Sequence, residues 1–299
     1  MEGMRGMEFR QLVYFLEVAR HGSFTRAGER LHVSQPNLSK TIRSLEEELG
    51  ATLFNRSTRK AQLTEAGELL RLHAQTVTNA VEGLQAAFAD LTELRSGSIK
   101  LGLPPVIGAT LFPSLIGRFQ EKYPRVALSF VEHGSRVLEQ AVRDGDLELA
   151  VIMLPVEESL FNVAPIIRGQ IALGVHPNHR LANRAEVALK ELREEKFILF
   201  GNTFKVNNNV RDMCIREGFE PNIVYESSHW DFMFEMVAAG LGITLLPELI
   251  YGQAAEGRIR VIRRLEPQIP WNLAIIWRKD RYLSQAARGF IDFAREEFK

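Results

Sequence analysis

The sequence predicts an α/β protein in three parts: an N-terminal winged helix-turn-helix, a long linker helix, and a two-lobed α/β domain. Three observations carry this. Two short amphipathic helices joined at HVS are followed by a basic turn. One Pro-free helical stretch keeps a strict seven-residue apolar repeat. From Ser98 onward, apolar strand-like runs alternate with helical ones. A chain of 299 residues is long for one domain, so two or three are expected. The expected boundaries are 1–63 and 64–95, then 98–168 with 274–299 as one lobe and 169–273 as the other.

Phe9, Leu12, Val13, Leu16 and Ala19 are spaced for one face of a first helix. HGS ends it, and Ser23 is a good N-cap for a second helix that turns Ala27 and Leu31 inward. After the HVS turn, Ser34 caps a third helix with an apolar stripe of Leu38, Ile42, Leu45 and Leu49. Pro36 fits the first turn, where backbone N–H groups lack intrahelical partners. At about 100° per residue, the opposite face carries Pro36, Lys40, Arg43 and Glu47, flanked by Asn37 and Ser44.

One capping residue would suffice, yet Ser34, Gln35, Pro36, Asn37, Ser39 and Lys40 crowd the start of this helix. Amide, hydroxyl and cationic side chains at the head of the second helix of such a pair suit base edges in a major groove. Gln and Asn bond adenine bidentately, Lys donates to guanine, and free helix-start N–H groups suit a phosphate. These residues and Arg43 are the candidate DNA contacts. A capped surface helix is the bland alternative, and the neighbouring helices and turn weigh against it.

TLFN and AQLT then flank a turn carrying Arg56, Arg59 and Lys60 with no acid among them, which reads as a basic wing lying on phosphates. A solvated hairpin tip would explain Lys60 alone, not the cluster. From Thr64 a helix runs to about Leu94. Leu63, Leu70, Val77, Leu84 and Leu91 fall at every seventh position. Ala66, Ala80, Ala87 and Leu94 recur three residues later, with His73 as the polar exception. Such a seam packs along another long helix. No other stretch matches it, so the expected partner is the same helix of a second subunit; packing on the chain's own core usually needs a wider stripe.

Beyond the linker RSGSIK, SIKLGL, VALSFVE and LELAVIM alternate with helical stretches, and the pattern repeats through IALGVH, KFILFG, NIVYESS and ITLLPE to NLAIIW and a last helix from about Leu283. A further helix is expected over about 183–194. Strand–helix alternation with apolar strands means a largely parallel sheet covered on both faces. Ligands in such lobes sit beyond the carboxyl ends of strands. Four such ends, PPVIG, HGS, GNTF and SSHW, offer Pro105, Val106, Ile107, Ser135, Phe200, Gly201, Asn202, Thr203, Phe204, Ser228 and Trp230. Those four loops hold neutral donors and no Lys or Arg, which suits a carboxylate held by hydroxyls and helix-start N–H groups. Ser135 and Ser228 serve equally as N-caps, and Trp230 as core.

Composition narrows the function. The 37 Lys and Arg balance 37 Asp and Glu, which argues against a basic coat but leaves room for a local patch. Cys214 is the only cysteine, so no intrachain disulfide forms, which fits a reducing compartment. MEGMRGMEFR lacks an apolar signal core, and no run reaches the roughly 18 apolar residues of a membrane span. The expectation is a cytoplasmic protein with no membrane partner, with Met7 as a candidate natural start. HPNH, with His176 and His179, reads as a turn without a third metal ligand, and GLG at 240–242 as a helix stop. No cofactor, metal or enzymatic activity is expected. A solute-binding protein shares the two lobes but has no use for residues 8–95. An enzyme on these lobes needs a base or metal set that the neutral loops do not offer.

The chain resembles the LysR-type transcriptional regulators over essentially its whole length. The resemblance rests on GSFTRAGERLHVSQPNLSKTIRSLEEELGATLFNR, LTEAG, LFPSLIGRFQEKYP and VAAGLGITLLP. FILFG, NIVYESSHWDF and LAIIWRKD are most similar to the subgroup that includes CidR, regulators of holin-like genes responding to weak organic acids. The resemblance implies a dimer through the linker helix, a periplasmic-binding-protein-like effector domain and a homotetramer. It also implies interrupted inverted repeats of double-stranded DNA as target, a small organic acid as effector, and RNA polymerase as a candidate partner. It puts Gln35, Pro36, Asn37 and Lys40 on base-reading positions and Arg56 on the wing's phosphate contact. Asn37 stands where a small residue is commoner, Lys40 where Arg is commoner, and Gly28 where Ala is usual, the last costing up to about 1 kcal/mol of helix propensity.

Overall fold

The computed structural model describes residues 6–55, 61–92, 97–252 and 257–298, and divides into two compact units, Met1–Phe88 and Ala89–Lys299. The first unit runs α1 (Phe9–His21), α2 (Phe24–Leu31), α3 (Gln35–Leu49), a hairpin of β1 (Phe54–Asn55) and β2 (Gln62–Leu63), and α4 (Glu65–Thr92). Its core gathers Leu12, Phe15, Val18, Ala27, Leu38, Ile42, Leu45, Leu53 and Phe54.

The buried face of α1 is rotated from the expected one: Phe15 and Val18 are fully buried, while Phe9 is exposed. Phe54 gives the reason. Its ring lies 5.4 Å from that of Phe15 and 5.5 Å from that of Phe24, so the first wing strand is clamped between two helices. Leu49, at the far end of the α3 stripe, is exposed as well, beyond the last turn that meets the core.

Ser23 caps α2 by accepting the Arg26 N–H at 3.4 Å. Thr64 caps α4, accepting the Gly67 N–H at 3.0 Å and donating to the Thr52 carbonyl at 2.6 Å. Ser34 holds the N-cap position of α3, but its hydroxyl makes no capping bond. The turn before it needs His32 in the left-handed region, at φ 55°. Gly28 sits close against the same turn: a Cβ there would lie 2.8 Å from the Val33 carbonyl oxygen.

The second unit opens with β3 (Gly97–Leu103), α5 (Pro105–Thr110), α6 (Phe112–Lys122), β4 (Val126–Glu132), α7 (Ser135–Asp144) and β5 (Leu149–Met153). It continues through β6 (Phe161–Val175), β7 (Glu186–Ala188), β8 (Lys196–Phe200), α8 (Lys205–Arg216), β9 (Asn222–Ser227), α9 (Trp230–Ala238) and β10 (Ile243–Pro247). It closes with β11 (Arg260–Ile262), β12 (Arg264–Glu266), β13 (Pro270–Arg278) and α10 (Gln285–Glu297). Parallel strands β4, β3 and β5 form one lobe, and parallel strands β9, β8 and β10 the other. Between them run β13 and β6, antiparallel to each other and paired to β5 and β10 on their outer sides. These are the strands that cross between lobes, and their register shifts between Leu273 and Ala274.

Every residue of β5 is buried because both faces of its sheet are covered. Leu149, Val151 and Met153 join one apolar cluster, and Ala150 and Ile152 another. Two expectations fail here. Residues 183–194 are not an α-helix: β7 pairs in parallel with β12, and a short 3-10 turn, Leu189–Leu192, follows. Val187, Leu189 and Leu192 are buried there, so their spacing served a strand and a turn. PPVIG is not an open loop, since its last four residues begin α5.

Candidate DNA interface and effector cavity

On α3 the side buried against the core is Leu38, Ile42, Leu45 and Glu46, which leaves Ser34, Gln35, Pro36, Asn37, Lys40 and Arg43 exposed and Ser39 partly so. The head of the helix thus presents hydroxyls, two amides and a cation beside N–H groups that no helical carbonyl can reach. Glu46, near the end of the helix, is buried and accepts the N–H groups of Leu53 at 2.8 Å and Phe54 at 3.4 Å. It fixes the recognition helix to the first wing strand. Nothing in the acidic run EEE singles it out except its place four residues after Ile42. Arg56, Arg59 and Lys60 lie outside the described residues.

Along α4 the heptad residues divide. Leu63 and Leu70 pack on the unit's own core, as does Ala66. Val77 and Leu84 are exposed, Leu84 to 58%, together with Leu69, Leu72 and His73. The side chain of Leu91 lies outside the described residues. The first three turns, through the buried Ala74, therefore belong to the winged helix, and an apolar strip farther along α4 faces outward.

In the second unit a cavity of about 20 Å³ sits where the lobes meet the crossing strands. Of the expected effector residues, Val106, Ile107, Ser135, Phe200 and Phe204 line it. Pro105, Gly201, Asn202 and Thr203 stand at its edges in the chain without lining it, and Asn202 and Thr203 are exposed. Ser228 is exposed and Trp230 packs edge-on to Phe234 at 5.3 Å, so neither reaches the cavity. Sequence reading missed Met153, Pro247, Trp271 and Leu273, which end or form strands and look like ordinary core.

It also missed Lys205, one residue beyond GNTF, which adds a cationic side chain to a lining expected to be neutral. That ammonium is paired with Glu139 at 2.5 Å and donates to the Pro155 carbonyl at 2.8 Å. The polar equipment of the cavity is then one buried hydroxyl, Ser135, and one paired cation, against walls of Phe200, Phe204 and Trp271. Phe200 and Phe204 stack at 4.7 Å, and Asn207 in α8 donates to the Phe200 carbonyl, so the aromatic wall is fixed from behind.

Other chemistry is thin. His176 accepts the Asn178 N–H, and His179 meets Glu195 at 3.2 Å. Among the described residues no group of three His, Cys, Asp or Glu is placed to hold a metal. No described helix is long and apolar enough to cross a membrane.

Residues 9–68 match the family model described as bacterial regulatory helix-turn-helix protein, lysR family, and residues 92–299 match the LysR substrate binding domain. The chain is 46% identical over 289 residues to the HTH-type transcriptional regulator YwbI of Bacillus subtilis strain 168, covering 97% of this chain and 96% of that protein. It is 31% identical over 297 residues to the hydrogen peroxide-inducible genes activator of Dickeya chrysanthemi, covering 98% and 96%. A solved full-length OxyR variant from Pseudomonas aeruginosa is similar in structure, with a TM-score of 0.76 at 28% identity, covering 97% and 95%.

Proposed function

The chain belongs to the LysR family of transcriptional regulators, and on that premise we propose that a small organic acid, bound between its lobes, controls how it engages its operator. A DNA-binding transcriptional regulator with an effector domain is what the family match establishes; these relatives are regulators rather than enzymes. The observation carrying the acid is the cavity itself, lined by Ser135 and Lys205 in an apolar surround. A carboxylate meets a donor and a cation there, and charge-assisted bonds contribute about 1.5–3 kcal/mol each. Offset by the cost of immobilising the ligand, two such bonds leave a site of micromolar to millimolar affinity.

On the DNA side, Gln35, Asn37 and Lys40 read base edges, Ser34, Ser39 and Arg43 support them, and Arg56, Arg59 and Lys60 hold phosphates. The exposed strip of α4 around Val77 and Leu84 pairs two copies, with Leu91 continuing it, so that two recognition helices span the two halves of an inverted repeat. A tetramer then joins two such dimers, in the cytoplasm.

A redox switch at a thiol has no support in this chain. Cys214 is the single cysteine, it is buried on α8, and burial pushes its thiol up to about 12. The direct test is a thermal-shift screen of small organic acids on the full chain, followed by footprinting with and without any hit. At least one acid should raise the melting temperature and alter operator protection. Stabilisation only by cationic or large aromatic ligands would overturn the reading.

A further inference from the structure

Three contacts join the second lobe to the first beside the cavity. Lys205 Nζ bonds Glu139 of α7 and the Pro155 carbonyl that follows β5. The Arg136 N–H donates to the Thr203 carbonyl at 3.3 Å. A Cβ on Gly134 would lie 2.4 Å from that same oxygen, so the loops meet this closely only over a glycine. The side chains of Lys205 and Glu139 keep only 18% and 16% exposure, so salt screens this pair less than one on the surface. The helix that carries Glu139 is anchored at its end: Arg278 donates to the Arg143 carbonyl at 2.5 Å and Arg281 to the Asp144 carbonyl at 3.1 Å, tying the end of α7 to its own lobe. The Lys205–Glu139 pair is thus a contact between lobes, not within one.

We propose that the Lys205–Glu139 pair is a latch across the lobes, and that a carboxylate effector opens it by taking Glu139's place on the Lys205 ammonium. The inference rests on the acid reading above for its key, and on geometry alone for its lock. About 20 Å³ holds little more than one water molecule, so an acid gains its place only as the lobes part. Exchange of one carboxylate for another keeps the ammonium paired throughout, which avoids the large cost of a bare charge in a half-buried site. Glu139, once released, regains water. Binding and opening thus become a single event. Effector identity is selected by whether an acid can reach Lys205 with its apolar part among Phe200, Phe204 and Trp271.

Amide hydrogen exchange on the full chain tests this. Arg136 is the second residue of α7, so its N–H has no intrahelical acceptor and its protection reports the closed junction. Glu139→Gln and Lys205→Met should each speed Arg136 exchange at least about tenfold, equivalent to ~1.4 kcal/mol of closure. Gly134→Ala, which leaves the ion pair intact, should do the same by pressing on Thr203. The charge swap Glu139→Lys with Lys205→Glu should recover most of the protection. Amides of the buried strand β5 serve as the folding control and should not change. Unchanged Arg136 exchange in both single variants, or a swap as open as either, would refute the latch. Acetate, pyruvate and benzoate, each against equal chloride, should speed Arg136 exchange in the native chain and not in Lys205→Met. If the variants open the junction and none of these acids does, the latch stands and the acid as its key is wrong.

Discussion

The recognition helix and the inter-lobe cavity use polar groups in opposite ways. On α3, Gln35, Asn37, Lys40 and Arg43 stand in solvent, backed by Leu38, Ile42 and Leu45 on one continuous stripe. In the cavity, polar groups are scarce, buried and brought from distant stretches: Ser135 opens α7, and Lys205 opens α8. A surface that meets a long polyanion is built along one helix, where helical periodicity sets both its buried and its exposed side. A pocket for a small ligand is built across the chain, where only the sheet order decides which strand ends converge. Changes on α3 should therefore alter partner choice with little cost in folding, whereas changes at the junction should alter partner choice and lobe geometry together.

The largest effect is expected from neither region but from the strip of α4 proposed to join two copies. Leu84→Asp puts a charge into the exposed strip of α4, and an unpaired charge at a packed interface is strongly disfavoured. Dimer and operator protection should vanish together in sedimentation and footprinting, because one recognition helix reads one half-site. A variant that sediments like wild type and protects the full operator would break that link.

Next in size is the division of labour at the DNA. Lys40→Ala should lose about 1–3 kcal/mol of discrimination at its base pair. Arg56→Ala should weaken binding to all sequences and lower the salt slope by roughly one unit. Binding selections across salt concentrations separate the two, and a change of base preference from Arg56→Ala with the slope intact would reverse the roles.

Two neighbouring glutamates sharpen the contrast between surface and core. Glu46→Leu leaves the Leu53 and Phe54 N–H groups without their carboxylate, which should cost about 1–3 kcal/mol in denaturant unfolding. Glu47→Leu, on the exposed side one residue on, should stay within about 0.5 kcal/mol. Equal costs would mean that Glu46 does not hold the wing. Smallest is Gly28→Ala. The helix propensity gained, at most about 1 kcal/mol, is offset by a Cβ 2.8 Å from the Val33 oxygen, so unfolding should move little while the start of α3 shifts. A full gain of stability would mean that the turn yields freely.

What was legible in the sequence follows the same divide. The three short helices, the hairpin around the wing and the long α4 all follow from caps, turns and stripes that act within a few residues. The face of α1 did not, because Phe15 is drawn inward by Phe54, far along the chain. The heptad that begins at Leu63 is a true periodicity serving two surfaces: Leu63 and Leu70 pack on the winged-helix core, while Val77 and Leu84 face outward. The 183–194 stretch misled because β7 exists only through its pairing with β12, some eighty residues on. In the cavity, the loops after strands were readable, while Trp271 and Leu273 were not, since a crossing strand's pocket-lining residues look like any buried run. Lys205 was not legible because it is the first residue of α8, where a charged side chain reads as an ordinary solvated helix start.

The central claim, that an acid occupies the inter-lobe cavity, is tested most directly by calorimetric titration of the full chain with small organic acids, repeated on Ser135→Val. Ser135 is buried at the cavity wall, and the added methyl groups fill space the acid needs while removing a donor. The account predicts that at least one acid binds the native chain in the micromolar to millimolar range and that Ser135→Val abolishes the heat. An acid that binds both proteins with equal affinity would place the effector elsewhere and contradict it.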